Sequence, residues 1–198
     1  MWASHRHDPA HFAHAGLNTR AARSTFDRVV GLDTSWGGSI RMNLGFAGRG
    51  RLLPGVRNLV VDMCTEYLAS GDTTQQLVTA VQELLENLVK YSEAGAAAAI
   101  DFELLLLGGQ PIARIGTQNR ASRTHLAEAR TMLDRIIAAP DPEALFQSLI
   151  DSSGERKGSG LGLVRLRAEA GLVLSYEVER STLSIEARRA VQARGSLE

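Results

Sequence analysis

QELLENLVKYS, residues 82–92, decides how the rest of the chain is read. Leu84, Leu85 and Leu88 continue a stripe begun by Leu77, Val78 and Val81, at the three- and four-residue intervals that line one side of an α-helix. On the neighbouring side Glu83, Asn87 and Lys90 stand at i, i+4 and i+7, so a carboxylate, an amide and an ammonium share one polar stripe. Two readings fit. In one, Glu86 and Lys90 form a surface ion pair in the favourable i, i+4 order while Glu83 and Asn87 are solvated. In the other, the stripe handles a nucleotide: the carboxylate orients or deprotonates a nucleophile, the amide oxygen ligates Mg²⁺, and the lysine meets phosphate charge.

Working outward, Asp72 and Thr73 can cap this helix, and the stripe Val56, Leu59, Val60, Met63, Cys64, Tyr67 and Leu68 predicts an earlier one from Pro54 to a stop at Gly71. Upstream, Ile40, Met42, Leu44 and Phe46 alternate with polar residues at the period of a half-buried strand. Downstream, Ala98–Leu107 and Pro111–Gln118 read as a hairpin turned at Gly108, Gly109 and Gln110. Leu126, Leu133, Ile136 and Ile137 mark a helix ending before Pro140, and Asp141 with Pro142 opens a shorter one through Leu149. The loop DSSGERKGSG, residues 151–160, then leads into a helix Leu161–Ala170 and strands Leu172–Glu179 and Thr182–Arg188. This order predicts an α/β (α+β) two-layer sandwich, a mixed sheet with helices on one face.

Composition narrows the function. The 198 residues are 44% hydrophobic and 22% charged, enough to build a sizeable core. Lys and Arg total 22, matched by 22 Asp and Glu, so no bulk positive field exists to hold nucleic acid. The longest purely apolar stretch, near Leu104–Leu107, is far short of the ~20 residues that cross a bilayer, which argues against membrane insertion and for a cytoplasmic protein. Cys64, the single cysteine, sits in an apolar helical stripe and is expected to be a buried structural thiol. Residues 1–35 lack sustained apolar periodicity and read as a flexible leader rich in His and Arg. Its His5, His7, His11 and His14 have no Cys or carboxylate at ligand-like spacing, so a solvated tail accounts for them better than a metal site.

The second motif is KGSGLGL, Lys157–Leu163, whose glycines just before a helix let backbone N–H groups approach a phosphate at the positive helix end. It is no dinucleotide fingerprint, because helices and not a first strand precede it and no acidic ribose ligand follows at the right place. A flexible linker with a close helix contact explains the same glycines when they stand alone.

A helix bearing ExxxNxxKYS, then a hairpin, a helical insertion and GxGLGL opening a helix, resembles the N box and G2 box of the GHKL ATPase superfamily. That superfamily includes sensor histidine kinases, gyrase, Hsp90, MutL and the bacterial anti-sigma-factor serine kinases. The resemblance implies a Bergerat-type fold over residues 36–190, a C-terminal tail at 191–198, and an ATP site between the N-box helix and a lid ending at the G2 box. Carried onto this sequence, it implies Glu83 as the catalytic carboxylate, Asn87 as the Mg²⁺ ligand, Lys90 as a phosphate contact and Tyr91 beside ribose or adenine. Gly158, Gly160, Leu161 and Gly162 would form the lid turn around the phosphates, with Lys157 a nearby cation. The G1 box differs: DxGxG is replaced by IGTQNRA, residues 115–121, where Thr117, Gln118 or Asn119 can stand in as a neutral acceptor for the base.

The altered G1 box and the paired helices before G2 are similar to the small SiaB-type and anti-sigma-factor-type serine kinases. This implies a regulatory kinase using ATP and Mg²⁺ on a small switch protein, STAS-like in kind, with a homodimer left open. The competing class is a contact-only binding module that has lost turnover along with the G1 carboxylate; an ATPase subunit of a larger machine fits least well.

Overall fold

The computed structural model describes residues 29–33, 39–47, 53–107, 110–152 and 160–194. In chain order they form β1 (Val29–Asp33), β2 (Ile40–Ala47), α1 (Leu53–Tyr67), α2 (Gly71–Tyr91), β3 (Ala97–Leu107) and β4 (Gln110–Arg120). Then come α3 (Arg123–Ala138), α4 (Pro142–Ser152), α5 (Leu161–Ala168), β5 (Val173–Glu179) and β6 (Thr182–Ala190). The two-layer α/β architecture expected from the sequence is present. One six-stranded sheet in the order β1-β2-β3-β4-β6-β5 carries the helices, whose buried faces share its core.

The sheet is antiparallel at every pairing, which corrects the expectation of a mixed one. Strands β4 and β5 do run in the same direction, but β6 turns back from β5 and inserts between them, so the parallel pair never forms. Strand β1 was not expected either: Val29–Asp33 fall in the stretch read as a leader, yet pair with Arg41–Gly45 of β2. The remainder of that leader, its four histidines and residues 195–198 lie outside the described residues. Residues 191–194 are tied down. Gln192 O accepts from Ala69 N at 3.0 Å, Arg194 N donates to Tyr67 O at 2.8 Å, and Ala193 bridges to Leu68.

Strand alternation separates two faces. In one register row Met42, Phe102, Ile115, Ala187 and Leu174 lie side by side and are all buried against the helices. A side chain such as Phe102 contributes about 1.5–3 kcal/mol by leaving water. The next row, Arg41, Glu103, Arg114 and Arg188, points to the opposite face. There Arg114 bridges Asp101 at 3.0 Å, Glu103 at 2.8 Å and Glu186 at 3.3 Å, while Arg41 meets Glu103 at 2.9 Å. Burial pushes the Asp101 carboxyl above its ordinary range, with Arg114 and Arg41 pulling the other way.

Helix α2 starts at Gly71 with Ser70 as its N-cap, not Asp72 or Thr73; the Ser70 hydroxyl accepts from Thr73 N. Its buried stripe is Leu77, Val78, Ala80, Val81, Leu84, Leu85 and Leu88, and it packs on α1 and over β3 and β4. Cys64 of α1 is fully buried, and burial pushes its thiol up to about 12. No helix among the described residues is long and apolar enough to cross a membrane.

Candidate functional site

Where α2 crosses β4, a cavity of about 520 Å³ opens between the sheet, α2, α3 and the start of α5. The volume falls within the roughly 300–1,000 Å³ usual for small-molecule pockets. Its floor is β4, where Thr117 and Asn119 share the helix-facing side with Ala113 and Ile115 and are 7% and 6% exposed. Leu183 and Ile185 of β6 extend that floor. Buried polar groups on a sheet floor cost stability unless they find partners. Among the described residues Asn119 makes one side-chain bond, a long 3.4 Å one donated by its amide nitrogen to Arg120 O, and its amide oxygen takes none.

Helix α2 supplies one wall, with Asn87 beside Leu84 and Leu88 and Tyr91 at its last turn. The Tyr91 ring stands edge-on to His125 of α3, 5.4 Å between centroids. Its hydroxyl is buried and has no hydrogen-bond partner among the described residues. An orphaned donor in a cavity wall is what a polar ligand would satisfy. Helix α3 forms the other wall through His125, Ala129 and Met132, and its first turn is fixed by Ser122, whose hydroxyl accepts from His125 N.

The lid side begins at Gly160, which lines the cavity at φ +120°. A Cβ there would lie 2.7 Å from Cε at the flexible end of Met132, so it is the φ of +120° more than the space that calls for glycine. Leu161 starts α5 and is half-buried. Lys157 and Gly158 lie outside the described residues.

The polar stripe of α2 is distributed, not gathered. Asn87 faces the cavity. Lys90 is exposed, with Nζ 5.0 Å above the Tyr91 ring. Glu83, one turn before Asn87, meets α5: its Oε1 accepts from Arg165 Nη1 at 2.9 Å, and a Cβ on Gly162 would collide with its Oε2. Gly162 therefore makes room for the Glu83 carboxylate, a packing role that the phosphate reading of KGSGLGL did not include.

Sequence reasoning missed Arg165, His125 and Met132. Arg165 and Glu83 are joined only by the fold, since no periodicity links positions so far apart. His125 carried one usable signal, its place three residues after the capping Ser122. Among the described residues no group of three or more His, Cys, Asp or Glu side chains gathers to hold a metal ion. A cation here would have to take most of its ligands from a bound phosphate and water, the habit of Mg²⁺.

No protein-family model matches the chain, and no curated protein sequence does. Six chains of solved structures match it. One belongs to the crystal structure of the SiaB-SiaC complex from Pseudomonas aeruginosa, similar with a TM-score of 0.53 and 16% sequence identity over 75% of this chain and 89% of that one. A likeness at that identity establishes a shared fold.

Proposed function

We propose that the chain is an ATP-binding, Mg²⁺-dependent serine/threonine protein kinase of the GHKL type, acting on a small partner-switching protein, STAS-like in kind. The observation that carries this reading is the meeting of Asn87, Tyr91, Thr117, Asn119 and Gly160, read from two separate sequence motifs and the stretch between them, around one cavity. The orphaned Tyr91 hydroxyl supports a polar ligand there. Fold likeness to a chain of the SiaB-SiaC complex supports a protein partner.

In this reading Thr117 and Asn119 face the base and Tyr91 the base or ribose. Asn87 would hold Mg²⁺, which offsets phosphate charge when bound. Glu83 accepts the proton of the attacking hydroxyl through Oε2, the oxygen not engaged by Arg165. The acceptor oxygen bonds the terminal phosphorus as the bond to the nucleoside diphosphate breaks.

A second reading has its own observation. Glu83 is already ion-paired with Arg165, and the base-facing groups on β4 are neutral, as a contact-only module would permit. Calorimetry with ATP, ADP and GTP, with and without Mg²⁺, separates the two. Submillimolar, Mg²⁺-dependent ATP binding is expected, lost in Asn87→Ala and kept in Glu83→Gln, while Glu83→Gln lowers transfer to the partner by about 10²–10⁴-fold. Silence at millimolar ATP would leave the contact-only module.

A further inference from the structure

The Glu83–Arg165 pair is the one charged contact between α2 and α5 at this site, among the described residues, and its geometry is asymmetric. Oε1 of Glu83 takes the guanidinium at 2.9 Å while Oε2 faces the first turn of α5 at Gly162. The pair does not line the cavity itself but borders it: Glu83 stands one helical turn before the cavity-lining Asn87 on α2, and its carboxylate packs on Gly162, two residues after the cavity-lining Gly160. The guanidinium is further held by Glu169 at 3.4 Å and lies 5.8 Å from the Phe146 ring centroid. Glu83 is 22% exposed and Arg165 41%, so the pair is partly shielded from solvent. The one hydrogen bond of the Arg165 guanidinium goes to Glu83, while Nε, buried and without a hydrogen-bond partner among the described residues, stands at ion-pair distance from Glu169, so the planar guanidinium lies between two carboxylates.

We infer that Arg165 is a positioning residue for this site: it anchors one oxygen of Glu83, leaves the other free, and cancels the carboxylate's charge so that a polyphosphate can lie beside it. This rests on the nucleotide reading above. A bare carboxylate next to the phosphate end of a nucleotide repels it in proportion to phosphate charge, and a nucleoside without phosphates feels almost nothing. The ligand class that needs Arg165 is therefore the nucleoside polyphosphate, and the residue acts on its charge and not on its base.

The test is calorimetry of the full chain with adenosine, ADP and ATP, each with Mg²⁺, after thermal melts have checked folding. In Arg165→Met the Kd for ATP should rise at least about tenfold, that for ADP less, and that for adenosine within about twofold, with Arg165→Lys recovering most of the loss. Glu83→Gln, which removes the charge to be cancelled, should bind ATP at least as tightly as the wild type, and it carries the test if Arg165→Met does not fold. Equal losses for adenosine and ATP would mean that Arg165 only ties α5 to α2, and would overturn the inference while leaving the nucleotide reading intact. Weaker ATP binding by Glu83→Gln would overturn it too. A wild type that binds none of the three removes the nucleotide reading, and the inference falls with it.

Discussion

A methyl group at position 162 would run into Glu83 Oε2, so Gly162→Ala must push the carboxylate away or lift α5 from α2. A loss of about 1–3 kcal/mol in thermal or denaturant unfolding is expected with no nucleotide present. A melt unchanged from wild type would mean that the Glu83 rotamer moves freely and the pair with Arg165 is loose. Asp101 is a different kind of residue-scale case. Its carboxyl is raised by burial, so the folded state holds that proton more tightly than the unfolded chain does. Its contribution is fully present below the ordinary carboxylate range and is lost as pH rises through the raised value. Asp101→Asn should therefore be at least as stable as wild type at pH 7, and its advantage should shrink as pH falls through the carboxylate range, when the wild-type carboxyl takes up its proton. Chemical denaturation at several pH values reads this directly, and a large destabilisation at pH 7 would show that the bond to Arg114 outweighs desolvation.

At the scale of elements, the β5–β6 hairpin closes through Arg180 and Ser181, with Arg180 at φ +55°. That conformation costs an L-residue with a side chain on the order of 1 kcal/mol, so Arg180→Gly should raise stability by about 0.5–1 kcal/mol. An unchanged or lower melting temperature would mean that the entropy of a glycine in the unfolded chain cancels the relief. Most elements were legible because their signals are local: the α2 stripe from Leu77 to Leu88, the alternation from Ile40 to Phe46, Asp141 before Pro142. Strand β1 was not, since five residues containing Gly31 carry no alternation of their own and are strand only because β2 offers an edge. The antiparallel sheet was missed for a related reason: each strand could be read singly, but which neighbour it pairs with depends on how β6 folds back. In the site, groups that face the cavity from one helix or strand were readable as a set. The Glu83–Arg165 pair was not, because burial and charge balance between distant elements leave no period in the sequence.

For the whole molecule, β1 sets a limit on trimming. Removing residues 1–28 should leave a cooperative transition close to that of the full chain. Removing 1–35 strips the ladder from Arg41–Gly45 of β2 and should lower the midpoint and the denaturant m-value together. Identical transitions for both truncations would show that β1 adds nothing to the folded state. The position of β6 has a kinetic consequence. Among the described residues it follows every other strand and helix, yet it sits in the interior of the sheet, joining Arg120 to Thr182 and Ile112 to Ala190. Contacts between such distant positions form late, because a long loop must close before they stabilise anything. Leu183 and Ile185, part of the cavity floor, arrive with that strand. A chain emerging from the ribosome thus carries an open β4 edge beside a half-built apolar pocket until its last hairpin inserts. Docking of that hairpin supplies the last part of the pocket floor, so a chain ending before Thr182 is expected to aggregate through the open β4 edge, and light scattering of that truncation beside the full chain checks it.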